Sequence, residues 1–210
     1  FVVTWSTSPD PAIPAVSFDN EAGAESAVEA LIERGHRRIG LVCGRTAVND
    51  RAAQRLKAYR RVLDRHGISF DPRLVQEREF EVEEGGIAAE ELMSLQPRPT
   101  ALFCANDIQA LGALFACQRL GLDVPRDLSI VGFDDLPMSR AANPSLTTVH
   151  VPAEEMGEEA ALRIIGNVST SDKIEPLLLP THIVISSGCF AVKSVGLLRK
   201  KPLPTLNGFA

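Results

Sequence analysis

The chain has 210 residues and a formal net charge of −5; 45% of its residues are hydrophobic and 23% are charged. This composition is typical of soluble globular proteins and lacks the basic surplus needed to bind nucleic-acid phosphates directly. No apolar run approaches the roughly 20 residues of a membrane helix, and the first residues lack the features of a secretory signal, so we expect no membrane association.

The four cysteines and four histidines are scattered, without the spacing of a metal site. We therefore expect no metal and no cofactor. Free thiols in a reducing compartment explain such cysteines best, which favours a cytoplasmic location.

Strand-like and helix-like segments alternate along the chain, which predicts parallel sheets covered by helices. Strands are predicted at residues 2–4, 15–18, 38–43, 74–78, 101–105, 128–133, 175–179 and 182–185. Helices are predicted between them, and glycines 35, 67 and 121 end three of these helices. Phe115 and Ile164 are predicted to lie on the apolar faces of their helices.

The segment from Asp127 to Val149 is the most informative part of the sequence. Its run Leu128–Phe133 is typical of a strand buried on both faces, and the run ends in Asp134 and Asp135. Ligands of open α/β sheets bind beyond the carboxyl ends of the strands. One of these two acids is therefore expected to face a ligand, and the other to serve the following turn.

Several motifs together resemble the LacI/GalR family of bacterial transcriptional repressors. Val124-Pro125-Arg126-Asp127 through Asp135, followed by Pro144 through Val149, resembles the family signature. Further matches follow in the family's order and cover nearly everything from Asp19 to Ser187: Asp19-Asn20 with Gly23, Leu31 through Ile39, Arg55 with Tyr59, and Pro99 through Gly112.

The resemblance implies an α/β fold of three-layer αβα doubly wound parallel sheets, in the two-lobe periplasmic-binding-protein-like type I arrangement. It places residues 1–35 and 152–180 in a partial, incomplete N-terminal lobe, and residues 36–151 and 181–192 in a C-terminal lobe. Residues 193–210, with Arg199-Lys200-Lys201, are interpreted as a solvated tail. The family's DNA-binding headpiece is expected to be absent from this chain.

The resemblance also implies a ligand cleft. It makes Arg55 the main ligand-gripping residue, whose planar guanidinium offers paired donors to hydroxyls or a carboxylate. It assigns ligand contact to Asn106, which leaves Asp107 to cap the following helix. Asp134 is expected to accept hydrogen bonds from hydroxyl groups, while Asp135 is expected to be structural.

Other residues are weaker candidates for the same cleft. Phe80 could stack on a sugar or a base, or be an ordinary core residue. Asn49 and Arg51 lie in the loop and helix start after Gly44. His150 is interpreted as a strand-end histidine, with a place in the hinge as the alternative. Arg55→Ala is expected to abolish the effector response and to leave stability nearly unchanged.

The leading hypothesis is the effector-binding and dimerisation part of a repressor that senses a small hydroxyl-rich ligand, and we expect a sugar. A purine or a sugar phosphate remains open. A homodimer would reach operator DNA only through upstream headpieces. The alternative is a stand-alone sugar receptor of the periplasm. An enzyme using Asp134 and Asp135 is disfavoured, because the sequence lacks a nucleophile–base pair, a phosphate loop and a metal-ligand cluster.

Overall fold

The computed structural model describes residues 1–7, 10, 13–170 and 175–189; for residues 167–170 it describes the backbone. The predicted tail at residues 193–210 and the last residues assigned to the C-terminal lobe, 190–192, lie outside this description. Everything below concerns the described residues.

The larger of two sheets has six strands and forms the centre of the molecule. In chain order these are β3 (Ile39–Cys43), β4 (Val75–Glu77), β5 (Ala101–Cys104), β6 (Ser129–Asp134), β7 (Thr147–His150) and β9 (His182–Val184). Their spatial order is β4-β3-β5-β6-β7-β9, with every neighbouring pair parallel except β7 and β9. Strands β3, β5 and most of β6 are fully buried, as their apolar sequences require.

The smaller sheet contains β1 (Val3–Thr4), β2 (Ala15–Phe18) and β8 (Leu177–Leu179). All three strands are parallel, in the order β1-β2-β8. The long helix α6 (Ala153–Thr170) packs on β1 and β2. The sulfur atom of Met156 in α6 accepts a hydrogen bond from the backbone N–H of Trp5 at 3.4 Å, which holds the end of β1 against this helix.

Four helices cover the two faces of the six-stranded sheet: α1 (Asn20–Glu33), α2 (Asp50–Arg65), α3 (Val82–Ser94) and α4 (Asp107–Arg119). Three begin at a residue whose side chain accepts a backbone N–H of the first turn: Asp19 for α1, Asn49 for α2 and Asn106 for α4. A short 3-10 helix (Pro72–Leu74) and a five-residue helix, α5 (Pro137–Ala141), complete the described elements.

The core has two layers, one on each side of the six-stranded sheet. Alternate side chains of β3 show the division, because Leu41 packs with α1 and α2 whereas Val42 packs with α3 and α4. Helices on both faces of a mostly parallel sheet make this unit a three-layer αβα structure. The predicted fold class is confirmed.

Helix α1 lies on the six-stranded sheet and not on the smaller one. It packs against α2, β6 and β7, and a Cβ atom at Gly23 would lie 2.9 Å from the Phe133 ring. The sequence analysis assigned residues up to 35 to the other lobe. In the structure the chain changes sheets immediately after β2, so α1 packs on the larger sheet.

Three further differences concern local structure. Helix α5 was not predicted, since five residues are too few to show a helical period. Phe115 of α4 and Ile164 of α6 were predicted on buried helix faces, but each is 43% exposed. Both lie on the outer side of their helices, where nothing in the described part of the chain covers them.

Within the described residues, the chain crosses between the two sheets three times. The crossings lie at residue 19, at residues 151–152 and at residues 180–181, between β2 and α1, β7 and α6, and β8 and β9. Among the described residues, no helix combines the length and the apolar character that spanning a membrane demands.

Candidate ligand-binding cleft

A cleft of about 190 Å³ opens at the carboxyl ends of β3, β5 and β6. Parallel strands present their carboxyl ends at one edge of the sheet, which is why residues distant in sequence meet here. The smaller sheet contributes to the cleft through Trp5, which follows β1. The lining residues are Trp5, Gly44, Arg51, Ala52, Arg55, Phe80, Ala105, Asn106, Ile108 and Asp134.

Arg55 lies in the wall of the cleft and is only 5% exposed. Its Nε atom donates a hydrogen bond to Oδ1 of Asn20 at 3.0 Å, and its Nη1 atom donates one to the carbonyl oxygen of Ala105. Its guanidinium carbon lies 3.7 Å from the centroid of the Phe133 ring. Burial lowers the pKa of Arg55 to about 10, which still leaves the group protonated at neutral pH.

Asp134, at the end of β6, faces Arg55. The Arg55 Nη2 atom and the Asp134 Oδ1 atom are 3.9 Å apart, and the Asp134 side chain is 21% exposed. Burial raises the pKa of Asp134 to about 7, against the opposing effect of the Arg55 charge. A carboxylate held this loosely by its counter-charge retains free acceptor positions for a ligand.

Asp135 points away from the cleft, as expected of a structural residue. Arg140 donates to its carboxylate through Nε at 3.0 Å and Nη2 at 2.5 Å, and Nδ1 of His150 lies 2.9 Å from Oδ2. Burial alone would raise the pKa of Asp135, but the hydrogen bonds from Arg140 and His150 hold it below its usual value. The His150 ring also lies 4.9 Å, centroid to centroid, from that of His182, beside the crossing strands.

Asn106 lines the cleft, yet it also has the role that the sequence analysis gave to Asp107. Its Oδ1 atom caps α4 by accepting the backbone N–H of Gln109 at 2.8 Å, and its Nδ2 atom donates to Oε1 of Gln109 at 2.7 Å. Asp107 is not the cap: its carboxylate is fully buried and turns toward β6 and β7. The expected role of Asp107 was therefore wrong, because the cap residue precedes the first helical residue by one position.

The remaining predicted residues divide between the cleft and its surroundings. Phe80 is 45% exposed and lines the cleft, so the core interpretation of this residue was wrong. Its ring lies over Gly44, where a Cβ atom would come within 2.5 Å of it. Arg51 also lines the cleft, whereas Asn49 does not and instead caps α2 through the backbone N–H of Ala52 at 3.1 Å.

Trp5 is the main lining residue that the sequence analysis missed. Its position after β1 was a usable signal, since it is the single tryptophan of the chain and follows a strand end. The next residue, Ser6, donates a hydrogen bond to Asp50 at the start of α2. The smaller sheet therefore touches the larger one at the rim of the cleft. In the described residues, no group of three or more metal-ligating side chains is placed to hold an ion.

The sheet order and the cleft define a ligand-binding module of the periplasmic-binding-protein type. The family model described as a periplasmic binding protein-like domain matches residues 28–187. The chain is 40% identical over 161 residues to the HTH-type transcriptional repressor CytR of Escherichia coli (strain K12), covering 77% of this chain and 47% of CytR.

Solved structures agree with this assignment. The transcriptional regulator CelR in complex with cellobiose has a TM-score of 0.83 at 31% identity, covering 90% of this chain and 58% of CelR. A LacI transcriptional regulator from Bacillus cereus has a TM-score of 0.85 at 30% identity, covering 92% of this chain and 69% of that one. The chain belongs to the LacI family of transcriptional regulators, and it spans about half the length of CytR.

Proposed function

We propose that this chain is the effector-binding part of a LacI-family transcriptional repressor. We also propose that its effector is a small hydroxyl-rich molecule, with a mono- or disaccharide as the leading candidate. The observation that carries the proposal is the pairing of Arg55 with Asp134 across one cleft at 3.9 Å. A guanidinium and a carboxylate with unused hydrogen-bonding positions can bind vicinal hydroxyl groups from both sides.

The other lining residues receive supporting roles in this proposal. Phe80 and Trp5 provide aromatic faces for the C–H side of a sugar ring. Asn106 retains one N–H that Gln109 does not use, and Arg51 adds positive charge near the opening. Asn49 is no longer included as a direct ligand contact, because it lies outside the cleft lining and its oxygen caps α2.

Regulation would depend on the relation between two lobes, which we propose comprise residues 1–18 with 152–180, and residues 19–151 with 181–189. Trp5 brings the first lobe to the cleft, and Ser6 bonds to Asp50 at its rim. A ligand that contacts both lobes binds one lobe arrangement better than another. It can thereby change the affinity of an attached DNA-binding headpiece.

The partners of the whole protein belong to the same proposal. Operator DNA would be bound through an upstream headpiece, as the description of CytR as an HTH-type repressor suggests. A homodimer would place two such headpieces on one operator. The exposed apolar side chains of the adjoining helices α3 and α4, Val82, Ile87 and Phe115, are candidates for its interface.

We further propose that the protein is a regulator without enzymatic activity and that it is located in the cytoplasm. The relatives named above are transcriptional regulators and not enzymes. All four cysteines, at positions 43, 104, 117 and 189, are free and buried, which suits a reducing compartment. A stand-alone periplasmic receptor is the disfavoured alternative, since these relatives are described as regulators.

Calorimetric titration of the purified chain with cellobiose and a panel of monosaccharides tests the sugar assignment. We expect saturable binding by at least one sugar, and loss of that binding in Arg55→Ala. Arg126→Ala is the matched control, because Arg126 is 82% exposed and, among the described residues, pairs with Asp123 of the same loop. Absence of binding to the whole panel, or equal losses in both variants, would contradict the proposal.

Light scattering coupled to size exclusion tests the homodimer. Phe115→Glu is expected to shift a dimeric chain toward the monomer, because it places a charge on the exposed face of α4. Leu162→Glu, on the exposed side of α6, is the matched control and is expected to leave the mass unchanged. A wild-type chain that is monomeric at high micromolar concentration would contradict dimerisation through the described residues.

A further inference from the structure

We propose that Asp107 is a positioning residue for Asp134: it fastens the turn after β6 to the start of α4 and so sets the orientation of the Asp134 carboxylate in the cleft. This inference rests on the proposed function of Asp134 as a ligand-binding group. Asp107 itself does not line the cleft. It would act on a ligand only through its neighbour.

The turn after β6 needs such support because its backbone is unfavourable. Asp134 has a φ of 112° and Asp135 a φ of 56°. Side chains with a Cβ atom rarely adopt positive φ, and two consecutive residues in this region persist only where surrounding contacts fix them. The backbone conformation that directs Asp134 toward Arg55 would therefore not persist in the isolated segment.

The fully buried carboxylate of Asp107 accepts hydrogen bonds from the segment that follows this turn and from β7. Oδ2 accepts the backbone N–H of Leu136 at 2.8 Å and the hydroxyl of Ser139 at 2.7 Å. Oδ1 accepts the hydroxyl of Thr148 at 2.6 Å. One side chain at the start of α4 therefore holds the residues after Asp134 and the strand β7 together.

Gly132 of β6 has no side chain, and this leaves space for the Asp107 carboxylate beside the strand. A Cβ atom on Gly132 would lie 2.1 Å from Oδ1 of Asp107, a distance that no folded protein tolerates. Glycine at position 132 therefore allows the carboxylate to lie against the strand. Strand β6 therefore forms one wall of the buried space that the Asp107 carboxylate occupies.

The charged groups that act on Asp134 define the measurement. Arg55 and Arg51 of α2 favour its ionised form, whereas the Asp107 charge of α4 disfavours it. Asp107→Asn keeps the volume, removes the repelling charge and replaces one acceptor oxygen by an amide that cannot accept. The ionisation of Asp134 should respond to this change, while a merely structural residue would leave it untouched.

The test is a carbon-13 NMR titration of the Asp134 carboxyl group in the ligand-free chain, with hydrogen exchange of the Leu136 amide. We expect Asp107→Asn to lower the titration midpoint by at least about 0.5 pH unit. We also expect it to speed Leu136 exchange by roughly tenfold or more. Asp123→Asn is the matched control, because Asp123 is an exposed carboxylate that pairs with Arg126 in the loop before β6, and it should leave both values near those of the wild type.

An unchanged midpoint and unchanged exchange in Asp107→Asn would overturn the proposal, and so would equal changes in Asp123→Asn. If Asp107→Asn does not fold, Ser139→Ala removes one donor to the same carboxylate; faster Leu136 exchange supports the proposal and unchanged exchange contradicts it. Calorimetry with cellobiose is a separate arm. Its failure would count against the proposed sugar effector only, because the titration needs no ligand.

Discussion

The guanidinium carbon of Arg55 lies over the ring of Phe133, 3.7 Å from its centroid. Phe133 immediately precedes Asp134, so a single strand end provides both the surface that supports the arginine and the carboxylate that faces it. The cation–π contact contributes about 0.5–2 kcal/mol, more where water is excluded. This strand end therefore links the cleft to the core.

Arg55→Ala should damage both binding and stability, which revises the expectation drawn from the sequence. Arg55 has three contacts in the wall of the cleft, to Asn20, Ala105 and Phe133, and its loss leaves the Asp134 charge without its nearest counter-charge. We expect a loss of about 2–4 kcal/mol in the free energy of unfolding and at least tenfold weaker effector binding. Denaturant titration and calorimetry measure the two effects. An unchanged unfolding midpoint would show that the buried contacts contribute nothing.

The pH dependence of binding should follow Asp134. Its pKa is raised to about 7, so the fraction of chains with an ionised carboxylate increases through neutral pH. Since hydroxyl groups donate to the carboxylate, we expect effector affinity to be roughly tenfold lower at pH 6 than at pH 8. Asp134→Asn should bind weakly and show no such dependence. A wild-type affinity that is flat over this range would contradict the assignment of Asp134 as an acceptor.

The same shift predicts the pH dependence of stability. A folded-state pKa above the unfolded one means that the favourable contribution of Asp134 is complete below about pH 4 and is lost as the pH rises through 7. Asp134→Asn should therefore become more stable than the wild type over this interval, by on the order of 1–4 kcal/mol at pH 8. Urea unfolding of both proteins at pH 4, 6 and 8 measures the difference. A difference independent of pH would argue against a raised pKa.

Tryptophan fluorescence should report occupation of the cleft. Trp5 is the single tryptophan of the chain and lines the cleft. We expect an effector to change its emission with the same saturation curve that calorimetry gives, because a bound ring excludes water from the indole. Trp5→Phe should abolish the signal and keep binding measurable by calorimetry. Binding without any change in emission would place the ligand elsewhere.

The crossing of α3 and α4 should be sensitive to a single methyl group. A Cβ atom at Gly112 would lie 1.9 Å from the carbonyl oxygen of Val82, so the two helix backbones touch at this point. We expect Gly112→Ala to reduce the free energy of unfolding by about 3 kcal/mol or more. Gly157→Ala in α6 meets nothing within 4 Å and should stabilise by about 0.5–1 kcal/mol. Similar effects of both changes would show that the crossing can relax.

The order of strands and helices was predictable because it depends on local patterns. Apolar runs such as Ile39–Cys43 and Ala101–Cys104 can be recognised within a few residues. The lobe that α1 joins was not predictable in this way. It depends on which sheet the apolar face of α1 meets, and the sequence of α1 would suit either sheet.

The site was predicted in part for a similar reason. Arg55, Asn106 and Asp134 follow or face strand ends, so they converge on the cleft as expected. The roles of Asn106 and Asp107 were divided incorrectly, because the direction of a side chain at a helix start depends on backbone angles and on Gly132 of another strand. Trp5 was missed although it follows a strand end, because the sequence does not show that the smaller sheet brings this strand end to the cleft.

The three crossings between the sheets restrict what a bound molecule can do to this protein. A single linker would let the two halves swivel freely, whereas three short connections at residues 19, 151–152 and 180–181 permit little more than bending along one line. His150 and Asp135, paired at 2.9 Å, lie beside that line. We therefore expect the lobe movement proposed above to follow one main direction, so that a molecule touching both Trp5 and Arg55 shifts the smaller sheet along it.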